Sequence, residues 1–399
     1  MKKKLIGSAV LAGALFMAAA SSATAMTAKE RLGHMLYSDK YLSKNHNQSC
    51  MSCHHPAAGW ADPVDAAMPD YYAVSFGSDR SLNGCRNAPP SGYAAFSPIF
   101  SWDADTGYFG GQFWDGREDT VADQAKKPFT NPVEMANETD ADVIAAIVDG
   151  SNPRSEAYRS LFKQAYGDNL KTLNYTDPAV VSDLFNKVAD AIGSFEQTTR
   201  FTRFTSKYDY YLAGMATLSD QEVRGLELFK ANCSACHPSD AQYNTADDTI
   251  TPPLFTDFTY DNLGVPVNHN WMLERADCNI NPDLGLGGEL GLPDEDGKFK
   301  VSSLRNIAKT PPYAHNGYFA SLEEIVHFYN TRDVVGAGWP DPEVSANLNV
   351  TELGNLSLSV TDEADLVAFL QTLTDGFGDT TPANFVLPAI TPLPPLPLP

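Results

Sequence analysis

Hydrophobic and polar residues along this chain recur mostly with the period of an α-helix, and several stretches begin with a recognisable capping residue. Few segments alternate with the two-residue period of a strand, so strands should be scarce and short. The pattern predicts a mainly α fold. Helices are expected over 28–37 after Thr27, from the capping box of Thr139 and Asp142 through Val148, over 180–198, after the capping box at 219–222, and from Thr361 through Leu373.

Two long segments rich in Gly, Pro and Asn, residues 56–112 and 238–300, separate the helical stretches. Loops of this length usually carry function and often form the walls of a pocket. With 399 residues the chain exceeds one average domain, and a boundary is expected near residue 205. The predicted units are 26–205 and 206–378, followed by a Pro-rich, disordered tail over 379–399.

The N-terminus has the pattern of a secretory signal peptide. Three lysines at 2–4 precede an apolar stretch over 5–20, and a small-residue cleavage site follows at 23–25. This apolar stretch is shorter than the roughly 20 residues that span a bilayer, and no other stretch is long and apolar enough. We expect a signal peptide over 1–25, export to the periplasm and no membrane span.

Composition narrows the class of protein. Hydrophobic residues make up 43% of the chain and charged residues 20%, which suits a packed core rather than intrinsic disorder. The formal net charge of -22 argues against nucleic acid as a partner, since such a partner requires a basic face that displaces counterions. An acidic surface is compatible with a basic protein partner, although it can equally serve solubility.

Six cysteines are present, and four of them fall in two short motifs, CMSCH and CSACH. Both match C-x-x-C-H, the attachment signature of a c-type haem, in which the thiols bond the two vinyl groups and the histidine binds the iron. A redox dithiol or half of a zinc site would explain the paired cysteines, but not a histidine directly after each pair in an exported chain. We predict two covalent haem c groups, held by Cys50, Cys53 and His54 in the first motif and by Cys233, Cys236 and His237 in the second.

The remaining cysteines, Cys85 and Cys278, lie one in each half of the chain. Thiols of exported proteins usually end up paired. A disulfide between the two pocket loops is therefore expected, unless the geometry forbids it.

A haem that only carries electrons normally has two protein ligands, whereas a haem that activates peroxide has an open position. No histidine occurs between His55 and His237, which leaves Met68 and Met135 as candidates for a second ligand in the first half. This shortage of ligands indicates an open iron at the first motif.

Several segments resemble the bacterial dihaem cytochrome c peroxidase and MauG family, over nearly the whole chain after the signal peptide. The similar segments are LGHMLYSDKYLS and SCMSCHHP within 30–58, QFWDGREDTVADQAKKPFTNPVEM from Gln112 to Met135, NLGVP, FKVSSLRNIAKTPPYAHNGYFASLEEIVHFYN and LSVTDEADLVAFLQTLT. The resemblance implies two cytochrome c-like haem domains that face each other, with long irregular pocket loops. The N-terminal domain (26–205) would carry the peroxidatic haem, and the C-terminal domain (206–378) the electron-transfer haem.

The resemblance assigns roles to three residues of the first half. Glu134 matches the distal carboxylate of the peroxidatic haem, which moves a proton from one peroxide oxygen to the other. Gln124 matches a glutamine of the same pocket. Trp114 matches the tryptophan between the haems, where an indole can relay electrons or holes.

A calcium ion between the domains is also implied by the resemblance, bound by an asparagine side chain and by backbone carbonyls. Asn87, Thr310 and Pro312 match those positions. Hard oxygen donors of this kind suit Ca²⁺ better than a transition metal.

Two departures from the ordinary peroxidases are typical of MauG-type members. The loop after the first motif lacks the histidine that many members use to close the resting peroxidatic haem. At the second haem, Tyr329 stands where ordinary peroxidases have a methionine and MauG-type proteins have a tyrosine. The competing candidates for this ligand are His327, His269 and Met272.

Three functions are compatible with these residues. The first is a periplasmic peroxidase that reduces hydrogen peroxide to water with electrons from a small cytochrome c or cupredoxin. The second is a MauG-like enzyme that oxidises tryptophan or tyrosine residues of a partner protein through a high-valent iron state. The third is a non-catalytic dihaem electron carrier with two six-coordinate irons. Many family members are dimers, which makes a homodimer one further expectation.

Overall fold

The computed structural model describes residues 25–244, 249–275 and 282–379. Residues 1–24 of the predicted signal peptide (1–25), residues 380–399 of the predicted tail (379–399) and Cys278 lie outside the described residues. The described chain is rich in helix and has little sheet, which confirms the mainly α part of the predicted fold class. Its α-helices are α1 Ala28–Tyr37, α2 Cys50–Cys53, α3 Pro63–Ala67, α4 Val121–Thr130, α5 Asp140–Val148, α6 Ser155–Tyr166, α7 Pro178–Glu196, α8 Lys207–Leu212, α9 Asp220–Asn232, α10 Trp271–Arg275, α11 Gly285–Leu290, α12 Leu322–Thr331 and α13 Val360–Gln371.

The strands of the described chain are two or three residues long and form three separate antiparallel pairs. The third pair is not a local hairpin, because it joins the two ends of a long loop. The pairs are β1 Ser101–Asp103 with β2 Gly107–Phe109, β3 Gln242–Asn244 with β4 Thr249–Thr251, and β5 Tyr260–Asp261 with β6 Phe299–Lys300.

The helices begin where capping residues predict, with one exception. The side chains of Thr27, Thr139 and Ser219 each form a capping box at the start of α1, α5 and α9. The last helix begins at Val360 rather than at Thr361, because the Ser359 hydroxyl accepts from the amide of the third helical residue. A serine with an acid three residues later satisfies two free amides at once, and this fixes the start of α13.

The residues of the first hydrophobic core all lie between 32 and 201. At its centre α1 crosses α7 so closely that a Cβ atom on Gly33 would lie 1.9 Å from the carbonyl oxygen of Ala191. Only glycine permits this approach of two helix backbones. Phe195 of α7 and Phe201 then pack edge to face at 5.0 Å, which covers the crossing with aromatic surface.

The second hydrophobic core is built from residues between 208 and 373 and repeats this arrangement. Here α9 crosses α13, and a Cβ atom on Gly225 would lie 2.0 Å from the carbonyl oxygen of Asp365. The neighbouring Arg224 donates two hydrogen bonds to the carboxylate of Asp365. The two cores lie on either side of residues 202–207, the region where the sequence places the domain boundary.

Buried ion pairs connect the two halves. Arg86 donates to both carboxylate oxygens of Asp283, at 2.6 and 2.8 Å, and also to Asp115. A guanidinium group suits this role because its donors form a planar fork that matches a carboxylate. Within the described ranges, none of the helices is long and apolar enough to cross a membrane.

Candidate functional site

Two large cavities lie inside the protein, one beside each C-x-x-C-H motif. Counting the open space at the mouth, the first has a volume of about 2020 Å³ and the second about 1720 Å³. The motif residues in the walls are Cys50, Cys53 and His54 in the first cavity, and Cys233, Cys236 and His237 in the second.

Each motif histidine faces a backbone carbonyl through its Nδ1 atom. Nδ1 of His54 lies 3.3 Å from the carbonyl oxygen of Trp60, and Nδ1 of His237 lies 2.7 Å from that of Phe255. A carbonyl can only accept, so Nδ1 carries the hydrogen in both rings and Nε2 keeps the lone pair that a metal binds. Burial lowers the pKa of His54 to about 4 and lowers the pKa of His237 as well. Both rings are therefore neutral at pH 7 and suited to bind iron.

One backbone hydrogen bond is common to the two motifs. In each motif the amide of the histidine donates to the carbonyl of the first cysteine, 2.9 Å away, which closes one helical turn. All four thiols are free. Burial raises the pKa of Cys50, Cys233 and Cys236 to about 12. Paired free thiols and a metal-ready histidine in the wall of a large cavity fit covalent haem c in each half.

Gln124, Pro128 and Glu134 also line the first cavity. Gln124 and Pro128 lie in α4, where the proline has no N–H and leaves the carbonyl of Gln124 without its helical donor. Beyond α4 the chain turns back on itself. The Met135 amide donates to the carbonyl of Pro128 at 3.0 Å, and the Ser78 amide donates to the carbonyl of Glu134 at 2.6 Å. These bonds hold the loop that carries Glu134 against the cavity.

The environment of Glu134 favours proton exchange. Burial raises the pKa of its carboxyl group, while the charge of Arg117 and a hydrogen bond from Asn131 lower it in part. Arg117 itself is fixed by two hydrogen bonds to Asp115 and lies over the ring of Phe113. A carboxyl group with a raised pKa gains and loses its proton closer to neutral pH, as general acid–base chemistry requires.

The first cavity offers few further iron ligands. His54 is the single histidine among the described residues of its wall. Met135, which is buried, lines this cavity, whereas Met68 packs in a separate cluster around Tyr72 and Met272. Among the ligands considered from the sequence, only Met135 is therefore placed in the cavity with His54.

One stretch of wall belongs to both cavities, and we call it the partition. Trp114 is held there because its indole N–H donates to the carbonyl of Asn87 at 2.9 Å, while its own carbonyl accepts from the amide of Lys300 at 2.9 Å. An indole therefore lies between the two cavities that carry the haem motifs. The described residues of the partition are Asn87, Pro90, Trp114 and residues 300–303.

The structure separates the four residues that compete as a second ligand at the second motif. Tyr329 lines the second cavity together with the motif residues, and burial raises the pKa of its phenol. His327 is half exposed and contacts Glu363, and the His269 side chain is 80% exposed. Met272 is fully buried in the separate cluster. Of the four, Tyr329 alone is among the described residues of the second cavity.

Asn87, Thr310 and Pro312 all line the second cavity. The Asn87 backbone amide donates to the carbonyl of His315 at 2.7 Å, and its side-chain amide donates to the carbonyl of Ala73 at 3.1 Å. The Asn87 side-chain oxygen and the carbonyls of Thr310 and Pro312 accept no hydrogen bond from the described residues. Three oxygens without donors, drawn from both halves of the chain, fit a hard cation such as Ca²⁺.

Cys85 is disulfide-bonded. Its predicted partner, Cys278, lies outside the described residues. The pairing of these two cysteines stays a prediction.

Two ionisable residues of the cavity walls escape prediction from the sequence. Lys300 lines both cavities, and its Nζ donates to the carbonyl of Gly111 at 2.7 Å. Glu196 is the last residue of α7, is 5% exposed and lines the first cavity. One of its side-chain oxygens has no hydrogen-bond partner among the described residues. An acid among the apolar positions of α7 is a signal that periodicity could have revealed. Lys300 has no comparable signal, because Gly111 and Trp114 are distant in sequence.

Comparisons with known proteins agree with this geometry. A family model described as di-haem cytochrome c peroxidase matches residues 27–217. Methylamine utilization protein MauG of Paracoccus denitrificans is 38% identical over 358 residues, which covers 86% of this chain and 88% of the relative. Cytochrome c551 peroxidase of Nitrosomonas europaea is 28% identical over 363 residues, with 90% and 83% coverage. The solved structure of the diheme peroxidase BthA from Burkholderia thailandensis superimposes with a TM-score of 0.72 at 30% identity, covering 87% of this chain and 86% of that chain.

Proposed function

Because this chain belongs to the di-haem cytochrome c peroxidase family and is a peroxidase-type oxidoreductase, we propose that it reduces hydrogen peroxide to water in its first cavity. Electrons would enter through the second cavity. The observation that carries this proposal is that Glu134 and Gln124 share the first cavity with His54. A proton-exchanging carboxyl group, a neutral amide and a metal-ready histidine in one pocket are the groups that peroxide cleavage needs.

The family implies two haem c groups, and the wall residues fit them. The haem irons would supply the electron-transfer chemistry of peroxide reduction, for which the protein contributes attachment, ligands and surroundings. The residues that would hold the groups are Cys50, Cys53 and His54 for the first haem, and Cys233, Cys236, His237 and Tyr329 for the second.

Reduction of hydrogen peroxide to two molecules of water consumes two electrons and two protons. A carboxylate oxygen of Glu134 accepts the proton of one peroxide oxygen and returns it to the other, so that this oxygen leaves as water. The raised pKa of Glu134 helps both transfers, because it brings the proton exchange of the carboxyl group closer to neutral pH. The amide of Gln124 orients the peroxide without taking up a proton, since an amide does not ionise.

The partition would connect the two cavities electronically. Trp114 lies in it with its indole N–H bonded to Asn87, so an aromatic ring is available where electrons cross from one cavity to the other. A calcium ion bound by Asn87, Thr310 and Pro312 would hold the partition rigid from the side of the second cavity. The electron donor would be a small cytochrome c or cupredoxin in the periplasm.

Turnover of the purified holoprotein tests the proposal. Reduced small cytochrome c and reduced cupredoxin should each be oxidised on addition of peroxide, with two electrons consumed per peroxide. The resting ferric protein should give a high-spin electron paramagnetic resonance (EPR) signal from an open first iron. Two low-spin signals together with absent turnover would overturn the proposal in favour of a dihaem electron carrier.

The position of Tyr329 supports a second candidate function, a MauG-like oxidation of tryptophan or tyrosine residues in a partner protein with peroxide as the oxidant. A phenolate ligand favours ferric over ferrous iron, unlike a thioether, and a second haem of low potential accepts electrons poorly from a small donor. Two results together would replace the first candidate function by the second. The holoprotein would oxidise neither donor, and mass spectrometry would detect peroxide-dependent oxidation of Trp or Tyr residues in a co-purifying protein.

A further inference from the structure

Lys300 is a half-buried cation in the partition between the two cavities. The pairing of β5 with β6 sets it opposite Tyr260, and its backbone amide donates to the carbonyl of Trp114 at 2.9 Å. Its Nζ donates to the carbonyl of Gly111 at 2.7 Å. An ammonium group has three N–H donors, and the described residues accept this one hydrogen bond from it.

The charges around Lys300 do not neutralise it. Asp115 is the carboxylate that acts on it electrostatically, but Arg86 and Arg117 already donate to the oxygens of Asp115. Burial lowers the pKa of Lys300 to about 8, which still leaves the ammonium as the main form at pH 7. A desolvated cation with unused donors is unfavourable unless an anion binds beside it.

The haem c groups that fit the two cavities would supply that anion. Each haem c carries two propionate carboxylates, and Lys300 lines the cavities of both. We propose that Lys300 is the counter-ion of haem propionates from both cavities and couples the two haems electrostatically. The inference rests on the two haem c groups of the family and is independent of peroxide turnover.

The charge of Lys300 has a measurable consequence. A nearby positive charge favours the reduced haem, because reduction adds a negative charge. Lys300→Met removes the charge and keeps most of the side-chain length, so it should lower the midpoint potentials of both haems. We expect an equilibrium constant for reduction about tenfold lower at each haem, which corresponds to about 59 mV for one electron.

Spectroelectrochemical titration of four holoproteins tests the inference: wild type, Lys300→Met, Lys300→Arg and Lys298→Met. Lys300→Arg keeps the charge and should retain both wild-type potentials. Lys298 lies two residues earlier, pairs with Glu295 at 3.0 Å and is not among the described residues of either cavity, so Lys298→Met should change neither potential. Unchanged potentials in Lys300→Met, or a change at one haem alone, would overturn the proposal.

A measurement on the wild-type holoprotein keeps the proposal testable if Lys300→Met does not accumulate with haem. Resonance Raman spectra in H₂O and D₂O report whether an exchangeable donor is bonded to a propionate. The propionate bending bands of both haems should shift in D₂O, and they should shift less in Lys300→Arg, where the donor geometry differs. Bands that are identical in both solvents would exclude the pairing.

Discussion

The indole N–H of Trp114 and the backbone carbonyl of Asn87 form a hydrogen bond of 2.9 Å inside the partition. The amide of Asn87 in turn donates to the carbonyl of His315 at 2.7 Å. A loop of the first half is thereby tied to the second half, with the indole fixed to the loop. The indole of Trp114 is therefore anchored to a loop that is itself bonded to the second half of the chain.

Trp114→Phe should slow electron transfer between the haems, because it removes the anchoring N–H and shrinks the ring in the partition. The variant also leaves the carbonyl of Asn87 without its hydrogen-bond donor, which should lower the free energy of unfolding by about 1–3 kcal/mol. Stopped-flow absorbance of the two haems and guanidinium unfolding measure these effects. Trp102→Phe, at a position of β1 that is 62% exposed, is the control. Equal electron-transfer rates in the two variants would contradict a relay role.

Removal of calcium should loosen the same wall. Chelation of the holoprotein should slow electron transfer between the haems, and added Ca²⁺ should restore the rate better than Mg²⁺, which requires stricter octahedral geometry. Asn87→Ala should reproduce the effect of the chelator and Asn87→Asp should retain calcium binding, because aspartate keeps an oxygen donor. The measurement is calcium content by atomic absorption beside the transfer rate. A fully active protein without calcium would contradict this prediction.

Glu134→Gln should lower kcat/KM for peroxide by about 100- to 10,000-fold, the range expected when a general acid–base group is lost. The amide fills the same volume but cannot accept and return a proton. Glu138→Gln is the control, because Glu138 lies four residues away with a side chain that is 78% exposed and paired with Lys44. Peroxide kinetics by stopped flow decide the matter. A rate for Glu134→Gln equal to that of the control would remove Glu134 from the mechanism.

Tyr329→Phe should change the EPR signal of the second haem, because it deletes the phenol oxygen from the second cavity. His327→Gln should leave that signal unchanged, since His327 faces Glu363 outside the cavity. Tyr329→Met should raise the potential of the second haem, as a thioether favours ferrous iron. The opposite pattern, with His327→Gln altering the spectrum and Tyr329→Phe silent, would assign the ligand to the histidine.

Stability should depend on the protonation of Glu196. Burial raises its pKa from 4.5 to about 8, so the folded protein keeps this proton over a range in which the unfolded chain releases it. The contribution of Glu196 to the free energy of unfolding is complete below the pKa that this residue has in the unfolded chain. It is lost as the pH rises towards the pKa in the folded protein, by up to about 1.4 kcal/mol per pH unit.

Glu196→Gln has no such proton to lose. Its free energy of unfolding relative to wild type should therefore increase steadily from about pH 5 to about pH 8. Guanidinium unfolding of both holoproteins at several pH values measures the difference, with the exposed Glu138→Gln as reference. Curves that run parallel across this range would show that Glu196 ionises normally.

The sequence by itself determined the features that depend on residues close together in the chain. The two C-x-x-C-H motifs act within five residues, and the capping boxes of α1, α5 and α9 act within four, so neither requires knowledge of the fold. The mainly α fold class follows from the same local periodicity. The roles of Glu134, Gln124 and Trp114 came from resemblance to a family, and the structure adds where these side chains lie.

Only the tertiary structure decided which residues face the cavities. His327 and Tyr329 lie two positions apart on α12, about 200° around the helix axis, so packing of that helix against the second core turns one towards the cavity and the other towards Glu363. Lys300 becomes a half-buried cation in the partition only because Gly111 and Trp114 are brought to it. The carbonyls of Trp60 and Phe255 that orient the motif histidines are likewise invisible in the sequence, since every residue has a carbonyl and only the fold places these two beside the rings.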